Sequence, residues 1–390
     1  MKKNVFLKKV LAAMVAGAML TGCGSSTAAT GAATTSAETS PAETTAAPET
    51  SKEAETEKAA ETGAAAETTA EESSAAESQE AAKSESAAET EAFGDTSDGA
   101  MKIGSLKGPT TMGLVNLMNE VENGDKSGYL FEMQTQPDVI LGKLVAGELD
   151  AALIPANLAA IAYNKTNQGV SVVDINTLGV LYCVTADESI KSVKDLSGKT
   201  VLSTGQGATP EYALNYLLEK NEVTDCDLQF KSEATEIAAV LSKDPAQIAV
   251  LPQPFVTVAM AQNQDLKIAF SLTEEWDAVS EDSKLLTGVT VVRNDYLENN
   301  EDAVKAFIED HKASTEKAVS DVKGTAGLVA KYGIIPKAPV AEKALPQCNI
   351  VAVTGEEMQK SLSGYLKVLF DQNPKSVGGK LPEDGFYYVK

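Results

Sequence analysis

The sequence predicts an α/β protein of two similarly built lobes, preceded by a leader and a long stretch that cannot bury a core. Three observations lead there. From about residue 100 onward, short apolar strands alternate with amphipathic helices, the pattern of sheets covered by helices. That pattern occurs twice. Gly108-Pro109-Thr110 and the helix after it align with Gly207-Ala208-Thr209, 99 residues on and without a gap, while Ala152 to Pro155 align with Ala249 to Pro252, 97 residues on. Residues 24–98, by contrast, are almost all Ala, Thr, Glu and Ser, with Phe93 the one aromatic.

The first unit reads as strand Met101–Leu106, helix Thr111–Val121, strand Tyr129–Met133, helix Val139–Ala146, strand Ala151–Ile154 and helix Leu158–Asn164. Leu114, Leu117, Met118 and Val121 recur at helical spacing, as do Ile140, Leu141, Leu144 and Val145. In the second unit Thr200–Ser203, Leu228–Phe230 and Ile248–Leu251 read as strands, with helices Glu211–Glu219 and Ile237–Leu241 between them. Thr177–Thr185 leads out of the first unit, and Leu286–Arg293 is an apolar strand leading back. Two further helices follow. One covers Ala303–Val322, and the other opens at a capping box of Thr354 with Glu357 and carries Met358, Leu362, Leu366 and Leu369. Both are expected to pack on the first lobe.

The N-terminal residues point to export. Lys2, Lys3, Lys8 and Lys9 precede the uncharged apolar run Val10–Leu20, which is the build of a secretory signal and too short to span a bilayer comfortably. Leu20-Thr21-Gly22-Cys23 resembles a bacterial lipobox, in which the cysteine thiol takes the lipid. Residues 24–98 carry 15 Glu and 2 Asp against 3 Lys, the composition of a disordered tether. As a flexible coil it would hold the folded part roughly 45–50 Å from a membrane. The whole chain has a net charge of −23, which argues against nucleic acid as a partner. Cys183, Cys226 and Cys348 show no metal-ligand spacing and read as reduced residues of the interior, with one disulfide the alternative. His311 is the single histidine, which argues against a histidine-based triad or a multi-histidine metal site; it falls on the apolar side of its helix. No metal or cofactor is expected.

Several segments resemble one family. Ser192-Val-Lys-Asp195-Leu-Ser-Gly198-Lys199-Thr-Val201 resembles the opening of the second lobe of type II periplasmic-binding-fold proteins. Leu144-Val-Ala-Gly147-Glu-Leu-Asp150-Ala-Ala152 resembles a helix end and strand of their first lobe. Val291-Val-Arg293 through Asn299, then Val304 to Phe307, resembles their return crossing and first C-terminal helix. The nearest group is that of nitrate, sulfonate, taurine and thiamine-pyrimidine receptors of ABC importers. The resemblance implies a two-lobed fold, each lobe a mixed, mostly parallel sheet flanked by helices, with extra helices at the C-terminus. The domain division is then 1–22 leader, 23–98 tether, 99–182 with 287–390 as lobe 1, and 183–286 as lobe 2. Hinges are placed near Leu178–Cys183 and Leu286–Thr290. The implied function is an extracytoplasmic, lipid-anchored, monomeric receptor that closes on a small polar ligand and docks on an ABC permease.

Ligands of open α/β sheets sit beyond the carboxyl ends of the strands. The candidate residues are therefore Lys107, Gly108, Thr110, Thr111, Gln136 and Asn157 from the first lobe. Those of the second are Gln206, Gly207, Thr209, Tyr212, Glu233, Gln253 and Phe255. The Gly-Pro-Thr-Thr and Gly-Ala-Thr-Pro corners each open a helix, whose free N–H groups suit an anion. A simple capping role for Thr110 and Thr209 is the competing reading. Gln136, Asn157 and Gln253 both donate and accept, Glu233 suits a cation or starts a helix, and Tyr212 and Phe255 offer flat faces or pack in the core. Fold alone does not decide function. An enzyme of the dehydratase or pyrimidine-synthesis type and a surface sensor without transport are the alternatives to a transport receptor; the lack of an activated nucleophile or loop histidine favours binding over catalysis.

Overall fold

A computed structural model describes residues 92–389. The leader, Cys23 and the tether as far as residue 91 lie outside them. The described strands are β1 (Phe93–Gly94), β2 (Met101–Leu106), β3 (Tyr129–Gln134), β4 (Ala151–Pro155), β5 (Val170–Leu178), β6 (Leu181–Thr185), β7 (Thr200–Ser203), β8 (Asp227–Phe230), β9 (Ile248–Pro252), β10 (Lys267–Ser271), β11 (Leu286–Arg293) and β12 (Ile350–Val353). They form two sheets, ordered β1-β3-β2-β4-β11-β5-β12 and β10-β6-β9-β7-β8.

The duplication is built into both sheets. β2 lies between β3 and β4, and β7 between β8 and β9, with all four pairings parallel. The remaining strands run antiparallel to their neighbours: β1 on β3, β11 between β4 and β5, β12 on β5, β6 between β9 and β10. Among the described residues, parallel strand pairing is thus confined to the repeated three-strand units, apart from an isolated parallel bridge between Val172 and Tyr387. The strands that carry the chain between lobes reverse direction, so each sheet is mixed rather than mostly parallel.

Two details move the expected boundaries. The chain leaves the first sheet at Gly179–Val180, and the apolar run Leu181–Thr185 is already paired with β9. A division between residues 182 and 183 therefore cuts a strand. The return passes through residues 280–285, and Leu286–Thr290 lies within β11. At the other end, Phe93 and Gly94, assigned to the tether, pair with Phe131 and Leu130. The Phe93 ring stacks on Tyr332 at 5.5 Å.

The expected helix Thr111–Val121 is two helices, Pro109–Met112 and Val115–Glu122. The Ser314 hydroxyl explains the break. It donates to the Gly113 carbonyl at 2.6 Å and accepts from the Leu117 amide at 3.0 Å, inserting itself where a helical bond would run. A side chain at Gly113 would stand 2.8 Å from the Thr315 hydroxyl and 2.9 Å from Ile350, so only glycine permits this approach. Helix Glu301–Ser320, which carries Ser314, packs on Val115–Glu122 and β12. His311 is fully buried there, its Nδ1 2.9 Å from the Asp174 carboxylate.

Helix Gly355–Gln372 does not pack on the first lobe alone. It lies against both Ala156–Lys165 of the first lobe and Thr209–Lys220 of the second, and Met358, Leu362, Tyr365, Leu366 and Leu369 join one apolar core with Leu214, Leu217 and Trp276. Thr354 is its N-cap, yet makes no side-chain cap bond, so the expected capping box does not form. A capping box does form at Ser192 with Asp195. Cys183, Cys226 and Cys348 are free thiols. Burial pushes Cys348 up to about 12 and Cys226, helped by Asp227 and Asp225, up to about 11, so both stay protonated at neutral pH. No helix among the described residues is long and apolar enough to cross a membrane.

Candidate functional site

The sheet directions bring the two sets of loops to facing edges. β2, β3 and β4 end at Leu106, Gln134 and Pro155, where β5 also ends and β11 begins. β7, β8 and β9 end at Ser203, Phe230 and Pro252, where β6 begins. The two-residue link Gly179–Val180 joins the end of β5 to the start of β6, so both lobes turn their carboxyl edges toward the crossing.

The first corner differs from expectation in how it uses its hydroxyls. Thr110 and Thr111 are buried, and both donate to the Leu106 carbonyl, at 2.9 and 2.6 Å. Gly108, not Thr110, is the N-cap. Thr110 neither caps the helix nor holds a free hydroxyl; it closes the end of β2 and packs against Gly288 of β11. In the second corner Ala208 is the N-cap and Thr209 the first helical residue. The Thr209 hydroxyl accepts from Tyr365 at 3.2 Å, and the Glu211 carboxylate accepts the Gly207 amide at 2.5 Å. The corners match in sequence and in place, but their donors are differently engaged.

Other candidates divide by exposure. Gln136, Gln206, Gly207 and Glu233 are exposed on the facing edges, and Phe255 is 42% exposed at the start of helix Phe255–Gln262. Lys107 and Gly108 are half-buried at the end of β2. Asn157 turns away, its amide 3.4 Å from the Ser376 carbonyl. Tyr212 is buried, donates to the Gly207 carbonyl at 3.0 Å and accepts from Asn373, so its ring is core rather than a stacking face. Gln253 is 2% exposed, and its side chain is held by Thr257 and Gln347.

Sequence reading passed over Lys231, half-buried directly after β8. Among the described residues neither Lys107 nor Lys231 forms a salt bridge, whereas half-buried Lys126, Lys143 and Lys284 each do. Each lobe thus offers, at its carboxyl edge, an ammonium group that forms no salt bridge among the described residues. The position of Lys231 one residue beyond a strand was the available signal. Tyr182 and Tyr365 were also missed. Burial raises both phenols, Tyr182 to about 12, which keeps them as neutral donors to the Gln347 carbonyl and to Thr209.

Two mixed sheets with facing carboxyl edges, joined by a short double crossing, make this a two-lobed periplasmic-binding-protein-like fold. Solved structures agree. An ABC transporter protein from Parabacteroides distasonis has a TM-score of 0.64 at 24% identity, with 75% of this chain and 100% of that chain covered. The periplasmic aliphatic sulphonate binding protein SsuA of Escherichia coli has a TM-score of 0.59 at 17% identity, covering 75% and 92%. The desulfurization enzyme DSZB has a TM-score of 0.53 at 11% identity, covering 75% and 97%. These likenesses establish the fold. The family described as NMT1/THI5 like matches residues 145–323, from the end of helix Pro137–Ala146 through the second lobe and helix Glu301–Ser320 to the start of helix Val322–Lys331, and over that stretch the chain is similar to that family. No curated protein matches the sequence.

Proposed function

We propose that the protein is an extracytoplasmic solute-binding lipoprotein that closes its two lobes on a small polar, anionic molecule and delivers it to an ABC importer. The observation that carries this reading is the facing pair of carboxyl edges, each with a half-buried lysine free of salt bridges among the described residues. A ligand that touches both edges favours the closed form, because only that form contacts it from both sides. Structural neighbours described as an ABC transporter and an aliphatic sulphonate binding protein support the same reading.

A thermal-shift screen of organic sulfonates, carboxylates and pyrimidines tests it. An anion of one of these classes should raise the melting temperature, by the equivalent of about 2.7 kcal/mol at a hundredfold excess over Kd. Lys107→Ala and Lys231→Ala should each weaken that binding by about 1.5–3 kcal/mol, the range for a hydrogen bond to a charged group. Full retention of anion binding in both variants rejects the two-lysine site. The likeness to DSZB motivates a second reading as an enzyme on the same fold. Conversion of the bound compound on prolonged incubation would select it, and recovery of the compound unchanged selects the receptor.

The anchor is part of the same proposal and rests on Leu20-Thr21-Gly22-Cys23 after an apolar run. Cys23→Ala should abolish incorporation of a fatty-acid probe and release the protein from the membrane fraction. Equal labelling of variant and wild type rejects lipidation at this residue.

A further inference from the structure

We infer that Gln347 is a bridging residue that sets the resting angle between the lobes, by holding the amide of Gln253. The segment around it is rooted in the first lobe: Leu345, Cys348 and Ile350 are buried in the core formed with Met112, Leu114 and Phe307. The residues between them point the other way. The Gln347 carbonyl accepts from the Tyr182 hydroxyl at 2.7 Å, and its side-chain oxygen accepts from Gln253 Nε2 at 2.5 Å. Tyr182 and Gln253 both belong to the second lobe, at the start of β6 and directly after β9.

The same segment also grips the crossing. Asn349 donates its amide to the Gly179 carbonyl at 2.5 Å, and its own carbonyl accepts the Leu178 amide at 3.0 Å. Rotation of the second lobe about Gly179–Val180 carries Tyr182 and Gln253 with it, so it must stretch the Gln347 bonds first. Gln253 has little freedom to compensate. Its Oε1 accepts from the Thr257 hydroxyl at 2.9 Å, its backbone amide donates to the Val180 carbonyl at 2.9 Å, and it is 2% exposed. A buried amide that loses its acceptor is left unsatisfied, so the bridge has a defined cost of opening. The sheet edge expected to offer Gln253 to a ligand instead commits that side chain to the protein's own C-terminal segment. This assignment holds whatever the protein binds, and its test uses no ligand.

Hydrogen exchange of the full-length protein is the measurement, read at the amides of Leu178, Gln253 and Thr257, which donate to Asn349, Val180 and the Gln253 side chain. Gln347→Met keeps the side-chain length and removes the acceptor, while Gln347→Glu keeps acceptor oxygens. The methionine variant should exchange at least tenfold faster at these amides and show a larger radius of gyration by X-ray scattering; the glutamate variant should stay within about threefold of wild type. Exchange in Gln347→Met within twofold of wild type overturns the bridge, as does equal acceleration in both variants. If Gln347→Met fails to fold, Tyr182→Phe removes the other bond and leaves Gln347 in place. It should also accelerate exchange at Gln253, and an unchanged rate there overturns the assignment.

Discussion

Replacing His311 with alanine is expected to lower the free energy of unfolding by about 1–3 kcal/mol, the cost of leaving a buried hydrogen-bonding group without its partner. Asp174 sits in the middle of β5 at 1% exposure and His311 on helix Glu301–Ser320 at 0%, so neither reaches water. Asp174 Oδ2 meets His311 Nδ1 at 2.9 Å, and among the described residues Oδ1 has no hydrogen-bond partner. With the imidazole gone, the carboxylate loses the single side chain that meets it. The ring also stacks on Phe307 with its plane tilted by 4°, and that contact goes too. Asp174→Leu combined with His311→Leu should recover much of the loss, because an apolar pair leaves nothing unsatisfied. Urea unfolding of the three proteins decides it. A single-variant loss below 1 kcal/mol, or a double variant no better than the single, would show that the pair is not coupled.

Gly364→Ala is expected to be nearly as damaging, although alanine is the better helix former by about 1 kcal/mol. Gly364 lies in the middle of helix Gly355–Gln372, and a Cβ there would stand 2.2 Å from the Asp282 carbonyl oxygen and 2.7 Å from Ser283 Cβ. Both neighbours belong to the segment that carries the chain back to β11, and Ser283 also accepts from the Trp276 indole at 2.9 Å. The helix cannot approach so closely with a methyl group in place, and overpacking of this kind costs about 1–3 kcal/mol, occasionally more. A net loss of about 2 kcal/mol is the expected outcome, with faster exchange in residues 280–285. A variant as stable as wild type or more so would mean that helix propensity outweighs the contact.

Most strands of the duplicated units were legible because their signal is local. Met101–Leu106, Thr200–Ser203 and Leu286–Arg293 run between the residues that the apolar pattern marks, since each is a short apolar run bounded by turn residues. The match between residues 108–120 and 207–219 became β2 between β3 and β4 and β7 between β8 and β9, because repeated spacing of strand and helix repeats the parallel pairing. Helices were found with shorter bounds, as Glu211–Glu219 within Thr209–Lys220 shows. The candidate loops fell on the carboxyl edges for the same reason: strand direction follows from the order of elements.

The sequence by itself determined two repeated α/β units, a charged low-complexity stretch ahead of them, the inward face of His311 and the loops at the carboxyl edges of the strands. Tertiary structure alone decided which polar groups in those loops are free. Thr110 and Thr111 turn back on Leu106, Tyr212 is tied to Asn373, Gln253 to Gln347, and Thr209 to Tyr365. Ser314 breaks a helix from the far end of the chain, and Gly355–Gln372 joins the cores of two lobes instead of covering one. The physical reason is a difference in range. Apolar periodicity is written over three or four neighbouring residues, whereas a buried hydroxyl or amide takes whichever partner the folded chain brings within 3 Å or so.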